Sequence, residues 1–191
     1  MQGQQQSTYD ELMDYQKIFS EIAIELPKMD DKGQVASYIP ELQNVDANKL
    51  GIHLTTTDNQ NYGLGDFHER FSIQSISKVL SLTLAVQLDR TDTWDRVGVE
   101  PSGSPFNSLV QLEYENGIPR NPLINAGALV ICDILVTHLK DPEKEFLAFT
   151  RNISGNSTID YNPKVSASEK ATGYRNAALI NLMKACGNIE N

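Results

Sequence analysis

The chain has 191 residues, 40% of them hydrophobic and 21% charged, enough to bury the core of one domain or a little more. Its 25 acidic against 16 basic residues leave a formal net charge of −9, which argues against a nucleic-acid partner, since that requires a basic face. No apolar run approaches a bilayer span, and the opening Met1-Gln2-Gly3-Gln4-Gln5-Gln6 has neither a basic nor an apolar targeting region, so a cytoplasmic protein acting on a small molecule, with no membrane partner, is expected.

In chain order, Thr8-Tyr9-Asp10-Glu11 reads as a capping box that opens a helix striped with Leu12, Phe19, Ile22, Ala23 and Leu26 and ended by Pro27. A strand is expected over 34–37. Gly51-Ile52-His53-Leu54-Thr55-Thr56-Thr57 alternates and is rich in β-branched residues, Asp58-Asn59-Gln60-Asn61 is turn-like, and Tyr62-Gly63-Leu64-Gly65 follows, which together predict a hairpin. Asp66 is expected to order the turn after it. The run from Val79 to Leu88 is apolar on most of its circumference and predicts a central helix with Ser75 in its first turn. Beyond it, Gly, Pro and Asn breakers separate helices expected over 108–115, 126–139, 142–152, 163–170 and 173–186.

Cys132 and Cys186 lie in helix-like apolar stretches and read as two buried, reduced thiols rather than a disulfide. His53 and His138 show no evident partner, and no His or Cys pair has metal-ligand spacing, so neither metal nor cofactor is expected. Gly103, Gly117 and Gly127 read as backbone-geometry positions. The two Asn-x-Ser/Thr patterns at Asn152 and Asn156 mean little without a secretion signal.

Ser75-Ile76-Ser77-Lys78 carries the chemistry. On a helix, positions three apart share a face with Cβ atoms about 5–6 Å apart, so the amine of Lys78 can reach the hydroxyl of Ser75 as its base. A helix start disfavours a cation and offers unpaired N–H groups to an oxyanion. A free lysine, with pKa near 10.4, is only about 0.04% neutral at pH 7, and bringing it close to neutrality requires about 4 kcal/mol of environmental bias, which burial at such a site can supply. Ser-x-x-Lys alone arises about once by chance in a chain of this length, so the surrounding sequence decides its weight.

That context consists of Gly33-Gln34-Val35-Ala36-Ser37-Tyr38-Ile39-Pro40-Glu41-Leu42, Gly65-Asp66, Phe71-Ser72-Ile73-Gln74-Ser75-Ile76-Ser77-Lys78-Val79, Arg96-Val97-Gly98-Val99-Glu100-Pro101-Ser102-Gly103, Phe106-Asn107-Ser108, Asn121-Pro122-Leu123-Ile124-Asn125-Ala126-Gly127-Ala128, and a later block from Ser168-Glu169 to Arg175-Asn176. Segment after segment, the chain resembles the serine-dependent glutaminases, relatives in fold of the serine β-lactamases and penicillin-binding proteins. The resemblance implies an α/β (α+β) fold of the β-lactamase/transpeptidase type, an antiparallel sheet flanked by helices plus a mainly helical region. Residues 1–74 would give the amino-terminal helix and sheet strands, and 75–191 the nucleophile helix and helical domain.

The same resemblance implies hydrolysis of L-glutamine to L-glutamate and ammonia, with Ser75 and Lys78 catalytic and Tyr38, Asn125, Glu169 and Asn176 joining Ser75 in substrate binding. It implies a homodimer or higher homo-oligomer. Family members run longer than 191 residues and carry two active-site tyrosines and a Lys-Ser-Gly strand farther on, so a truncated form lacking the final sheet strands is expected. Read from local pattern alone, Asn125 is equally an N-cap, Glu169 a solvated helix residue, Asn176 a surface one and Tyr38 a core-edge filler. The alternative functions are another Ser-x-x-Lys acyl hydrolase of the β-lactamase type, for which neither a secretion signal nor a downstream Ser-Asp-Asn or Tyr-x-Asn string appears, and an inactive fragment left association-prone by an exposed sheet edge.

Overall fold

A computed structural model of the chain describes residues 13–29 and 33–191. It divides into two compact units, one ending at Phe71 and one beginning at Ser72.

In the first unit, helix α1 (Tyr15–Glu25) is capped by Asp14, whose carboxylate accepts from the Lys17 N–H at 2.9 Å. Phe19 is its buried anchor, and Pro27 diverts the chain into a 3₁₀ turn over Leu26–Lys28. The expected capping box at Thr8 lies outside the described residues. The strand expected over 34–37 is not formed: 34–37 is irregular, and the sheet among the described residues consists of two strands farther along the chain. A 3₁₀ turn, Pro40–Asn44, follows buried Ile39.

Strands β1 (Gly51–Thr55) and β2 (Asn61–Gly65) form the expected antiparallel hairpin, in register from Gly51↔Gly65 to Thr55↔Asn61. Asn59 takes the left-handed conformation in the turn, φ 66°, which Asn tolerates better than most residues. Gly65 is required at its position: its φ is +65°, and a Cβ there would lie 2.1 Å from the Leu50 carbonyl. Asp66 then locks the hairpin base, donating its N–H to the Leu50 oxygen (2.7 Å) while its carboxylate accepts from the Leu50 N–H (3.0 Å). His53 is not partnerless, as its ring stacks on Phe67 with centroids 5.4 Å apart.

The second unit is helical. It contains α2 (Ser77–Leu88), α3 (Arg90–Arg96), α4 (Leu109–Tyr114), α5 (Asn125–His138), α6 (Pro142–Ser154), α7 (Pro163–Thr172) and α8 (Tyr174–Ala185). Four starts are set by side-chain caps, Asp89 for α3, Ser108 for α4, Asp141 for α6 and Asn162 for α7. Helix α5 is the centre, with Ala126, Val130, Ile131, Ile134 and Leu135 buried among Leu84 and Ala85 of α2, Leu112 of α4 and Leu179 and Met183 of α8. Helix α3 was not expected from the sequence. Its sequence, Arg-Thr-Asp-Thr-Trp-Asp-Arg, has one large apolar residue and so no apolar stripe, and its cap and the burial of Thr93 hold it instead.

Arg96, at the end of α3, meets Asp133 of α5 at 2.5 Å, and the Arg96 guanidinium also donates to the Asn188 carbonyl at 2.7 Å. The Asp133 carboxylate further accepts from the backbone N–H groups of Glu190 (3.2 Å) and Asn191 (2.9 Å). Both cysteines are free, as expected, but exposed rather than buried. His138 also has partners, the Ile134 carbonyl at 2.9 Å and Asp89 at 3.6 Å. Among the described residues no helix is long and apolar enough to cross a membrane.

Candidate active site

Ser75 lies in a 3₁₀ turn, Gln74–Ile76, that runs directly into α2, rather than in the first α-helical turn expected for it. The tighter winding arises where Gln74 adopts φ 45°, a left-handed conformation that costs a non-glycine residue of order 1–3 kcal/mol and recurs at functional sites. Ser75 is exposed. Among the described residues neither its hydroxyl nor its backbone N–H has a hydrogen-bond partner.

Three positions on, the Lys78 amine is half-buried. It donates to the Leu123 carbonyl at 3.0 Å and to Asn125 Oδ1 at 2.8 Å, and lies 5.8 Å from the centroid of the Phe106 ring. All three neighbours are uncharged. Burial lowers the pKa of the amine from its ordinary value.

Asn125 is the first residue of α5, and its side chain makes no cap. The turn ahead of it is closed by Asn121, whose Oδ1 accepts from the N–H groups of Leu123 (3.0 Å) and Ile124 (3.2 Å), leaving the Asn125 amide free to face Lys78. The N-cap alternative for Asn125 is thereby overturned. Gly127 makes this arrangement possible, because a Cβ there would come within 2.0 Å of the Asn121 carbonyl and push the turn off the helix. The other end of the Asn125 amide donates to Asn176 Oδ1 at 3.2 Å, and the Asn125 N–H donates to the Phe106 carbonyl at 2.9 Å. Three helices, α2, α5 and α8, thus place Lys78, Asn125 and Asn176 in one hydrogen-bonded series.

Three expected residues stand apart from that series: Ser75, whose hydroxyl is bonded to none of its members, and Glu169 and Tyr38. Glu169, on α7, is exposed and forms no side-chain hydrogen bond with these residues. Tyr38 belongs to the first unit, where its side chain is 68% exposed instead of filling a core edge. The sequence reading missed Phe106, the Leu123 carbonyl and the pair Arg175–Asn107, joined at 3.0 Å. Phe106-Asn107-Ser108 and Arg175 lay within matching strings, but an apolar ring and a backbone oxygen carry no chemical signature of their own.

A serine with an unengaged hydroxyl, followed by a lysine whose amine is partly desolvated and held by neutral groups, can open an ester or amide carbonyl through a covalent acyl-enzyme. A family model described as Glutaminase matches residues 33–191. The chain belongs to the glutaminase family. It is 63% identical over 179 residues to a glutaminase of Saccharophagus degradans, covering 94% of this chain and 58% of that protein. It is 60% identical over 178 residues to one of Christiangramia forsetii, covering 93% and 59%.

Among solved structures, the probable glutaminase YbaS superposes with a TM-score of 0.81 at 29% identity over 93% of this chain and 58% of that one. A Bacillus glutaminase superposes with a TM-score of 0.67 at 37% identity over 80% and 52%. The fold is α+β and of the serine β-lactamase-like class of these glutaminases. The chain spans a little under three fifths of the length of the curated relatives named here.

Proposed function

We propose that this chain carries the nucleophile and base of an enzyme that hydrolyses L-glutamine to L-glutamate and ammonia. The observation that supports this best is the environment of Lys78, a half-buried amine held by two neutral oxygens, three positions after an exposed serine. In its neutral form Lys78 takes the proton from Ser75 Oγ as that oxygen attacks the side-chain amide carbon of glutamine. The Ser75 N–H and a second donor hold the oxyanion. Lys78 returns the proton to the departing nitrogen as the C–N bond breaks, and ammonia leaves. Water then cleaves the γ-glutamyl ester, its proton returning through Lys78 to Ser75.

Asn125 and Asn176 each offer a donor and an acceptor for the α-carboxylate and amide of the substrate. Glu169 pairs with its α-ammonium, and Tyr38 supplies a hydroxyl at the pocket wall. A homo-oligomer in the cytoplasm belongs to the same reading, supported by the family membership and the two unpaired cysteines.

The test is ammonia release from L-glutamine by the protein carrying this chain, compared with its Ser75→Ala variant. Serine-dependent release with an unchanged circular-dichroism spectrum is expected. Near wild-type turnover in Ser75→Ala would remove Ser75 as the nucleophile.

A further inference from the structure

Residues 175 and 176 of α8 hold the site from two sides. Asn176 accepts from the Asn125 side chain at 3.2 Å, and Arg175 donates to Asn107 Oδ1 at 3.0 Å across 68 positions of sequence. Asn107 adjoins Phe106, whose carbonyl receives the Asn125 N–H at 2.9 Å and whose ring lies 5.8 Å from the Lys78 amine. The bonds close into a ring: Arg175 to Asn107, Phe106 to Asn125, Asn125 to Asn176, with the peptide links 106–107 and 175–176 completing it.

Phe106 is 68% exposed, so packing against the rest of its unit does not fix its ring. The turn that carries it, closed by the Ser108 N–H on the Pro105 carbonyl at 3.0 Å, is tied to α8 through the Arg175 bond. Among the described residues the Arg175 guanidinium has no carboxylate partner, and its side-chain hydrogen bond goes to Asn107.

We propose that Arg175 is a positioning residue for Lys78, holding the turn over 105–108 through Asn107 so that Phe106 shields the amine from water. This deepens the assignment of Lys78 as the base and rests on it. The groups facing the amine are the Leu123 carbonyl, the Asn125 amide and the Phe106 ring, none of which carries a charge; the oxygens and the ring favour the ammonium, and burial opposes them and lowers the pKa. Loosening the turn admits water and returns Lys78 toward the charged form that cannot accept a proton from Ser75.

The experiment reads Lys78 itself. The protein carrying this chain, with Arg175→Met, Arg175→Lys and Asn107→Ala variants, is labelled with trace acetic anhydride across a pH series, and the midpoint for each lysine is taken by mass spectrometry with exposed Lys140 and Lys184 as internal standards. Arg175→Met and Asn107→Ala are expected to move the Lys78 midpoint upward, leave the standards unmoved and lower the neutral-pH labelling ratio several-fold. Arg175→Lys should restore part of the shift.

In glutamine hydrolysis, the acidic limb of the kcat profile should move upward in the same variants. Unmoved Lys78 midpoints in folded Arg175→Met and Asn107→Ala proteins would overturn the proposal. So would a raised KM with an unmoved midpoint, because Arg175 would then touch substrate directly. The labelling needs no turnover, so it judges Arg175 even if Ser75→Ala shows the glutaminase chemistry to be misassigned.

Discussion

Helix α5 engages two cations, and they are treated in opposite ways. At its first residue, Asn125 offers Lys78 a neutral amide oxygen. Two turns on, Asp133 offers Arg96 a buried carboxylate, and the surrounding lone pairs are filled by the Glu190 and Asn191 amides. A buried ion pair with its hydrogen bonds satisfied keeps both charges fixed and is costly to break. A partly desolvated amine with neutral acceptors is held in place while its charge stays negotiable. On the proposed reading, the choice of partner on α5, carboxylate or amide, separates the ion-paired Arg96 from Lys78, the proposed base.

The strongest break of that comparison is at Lys78. Lys78→Arg keeps the charge and reach but cannot lose a proton near neutrality, and glutamine turnover should fall by about 10³-fold, within the range general-base loss usually costs. Steady-state ammonia release checks this, and activity within tenfold of wild type would mean that another group takes the proton. Asn125→Asp carries the pattern of Arg96 to Lys78. The new carboxylate stabilises the ammonium and cuts the neutral amine at pH 7 by about 100-fold, so kcat/KM at pH 7 should fall by at least that factor and recover partly as pH rises. A pH-independent loss would indicate that Asn125 matters through substrate contact alone.

The converse change is Asp133→Asn. It leaves the largely buried Arg96 with an amide and with Asp92, 3.5 Å away, as its remaining carboxylate, and the cost should approach, without reaching, that of a wholly unpaired buried charge, about 3–5 kcal/mol. Urea unfolding should show this as a lower midpoint at unchanged slope, and a loss below 1 kcal/mol would mean that the pair is not structural.

How far this contrast could be foreseen depends on range. The hairpin was legible because alternation and an Asn-rich turn are local, and α6 and α7 were legible because Gly, Pro and Asn breakers bound them, with Pro142 and Pro163 as their first residues. Ser75 and Lys78 drew notice because they lie three positions apart inside strings that match the family. The partners of Lys78 were not legible, since Asn125 lies 47 positions away and the Leu123 contact is a backbone oxygen. Asp133 reads in sequence as a misplaced charge in an apolar helix, and only packing brings Arg96, 37 positions earlier, against it. The strand expected at 34–37 fails on a related ground, since strand formation depends on pairing with distant residues as well as on local sequence.

Acid sharpens the contrast, and with a smaller effect. Burial pushes the Asp133 carboxyl up, but the hydrogen bonds from Arg96, from the Asn191 and Glu190 amides and from the Asn191 side chain outweigh it, and the group titrates below the ordinary carboxylate range. A carboxylate with a depressed folded-state pKa adds stability that is complete above its unfolded value, about 3.9, and is lost as pH falls through the folded one. Wild-type stability should therefore fall with added slope below about pH 4, and Asp133→Asn should remove that increment while leaving the neutral-pH deficit.

The smallest effect belongs to the far ends of α2 and α5, where Asp89 and His138 approach to 3.6 Å with side chains 38% and 30% exposed. Solvent screens such a pair, so His138→Gln should cost under about 1 kcal/mol in urea unfolding. It should also leave the pH dependence of turnover unmoved, because Lys78 is held at the opposite ends of these helices by Asn125 and Leu123. A displaced acidic limb in His138→Gln would show that helix pairing, rather than the groups touching the amine, sets the state of Lys78, and the distinction between carboxylate and amide partners would then fail at the point where it matters for chemistry.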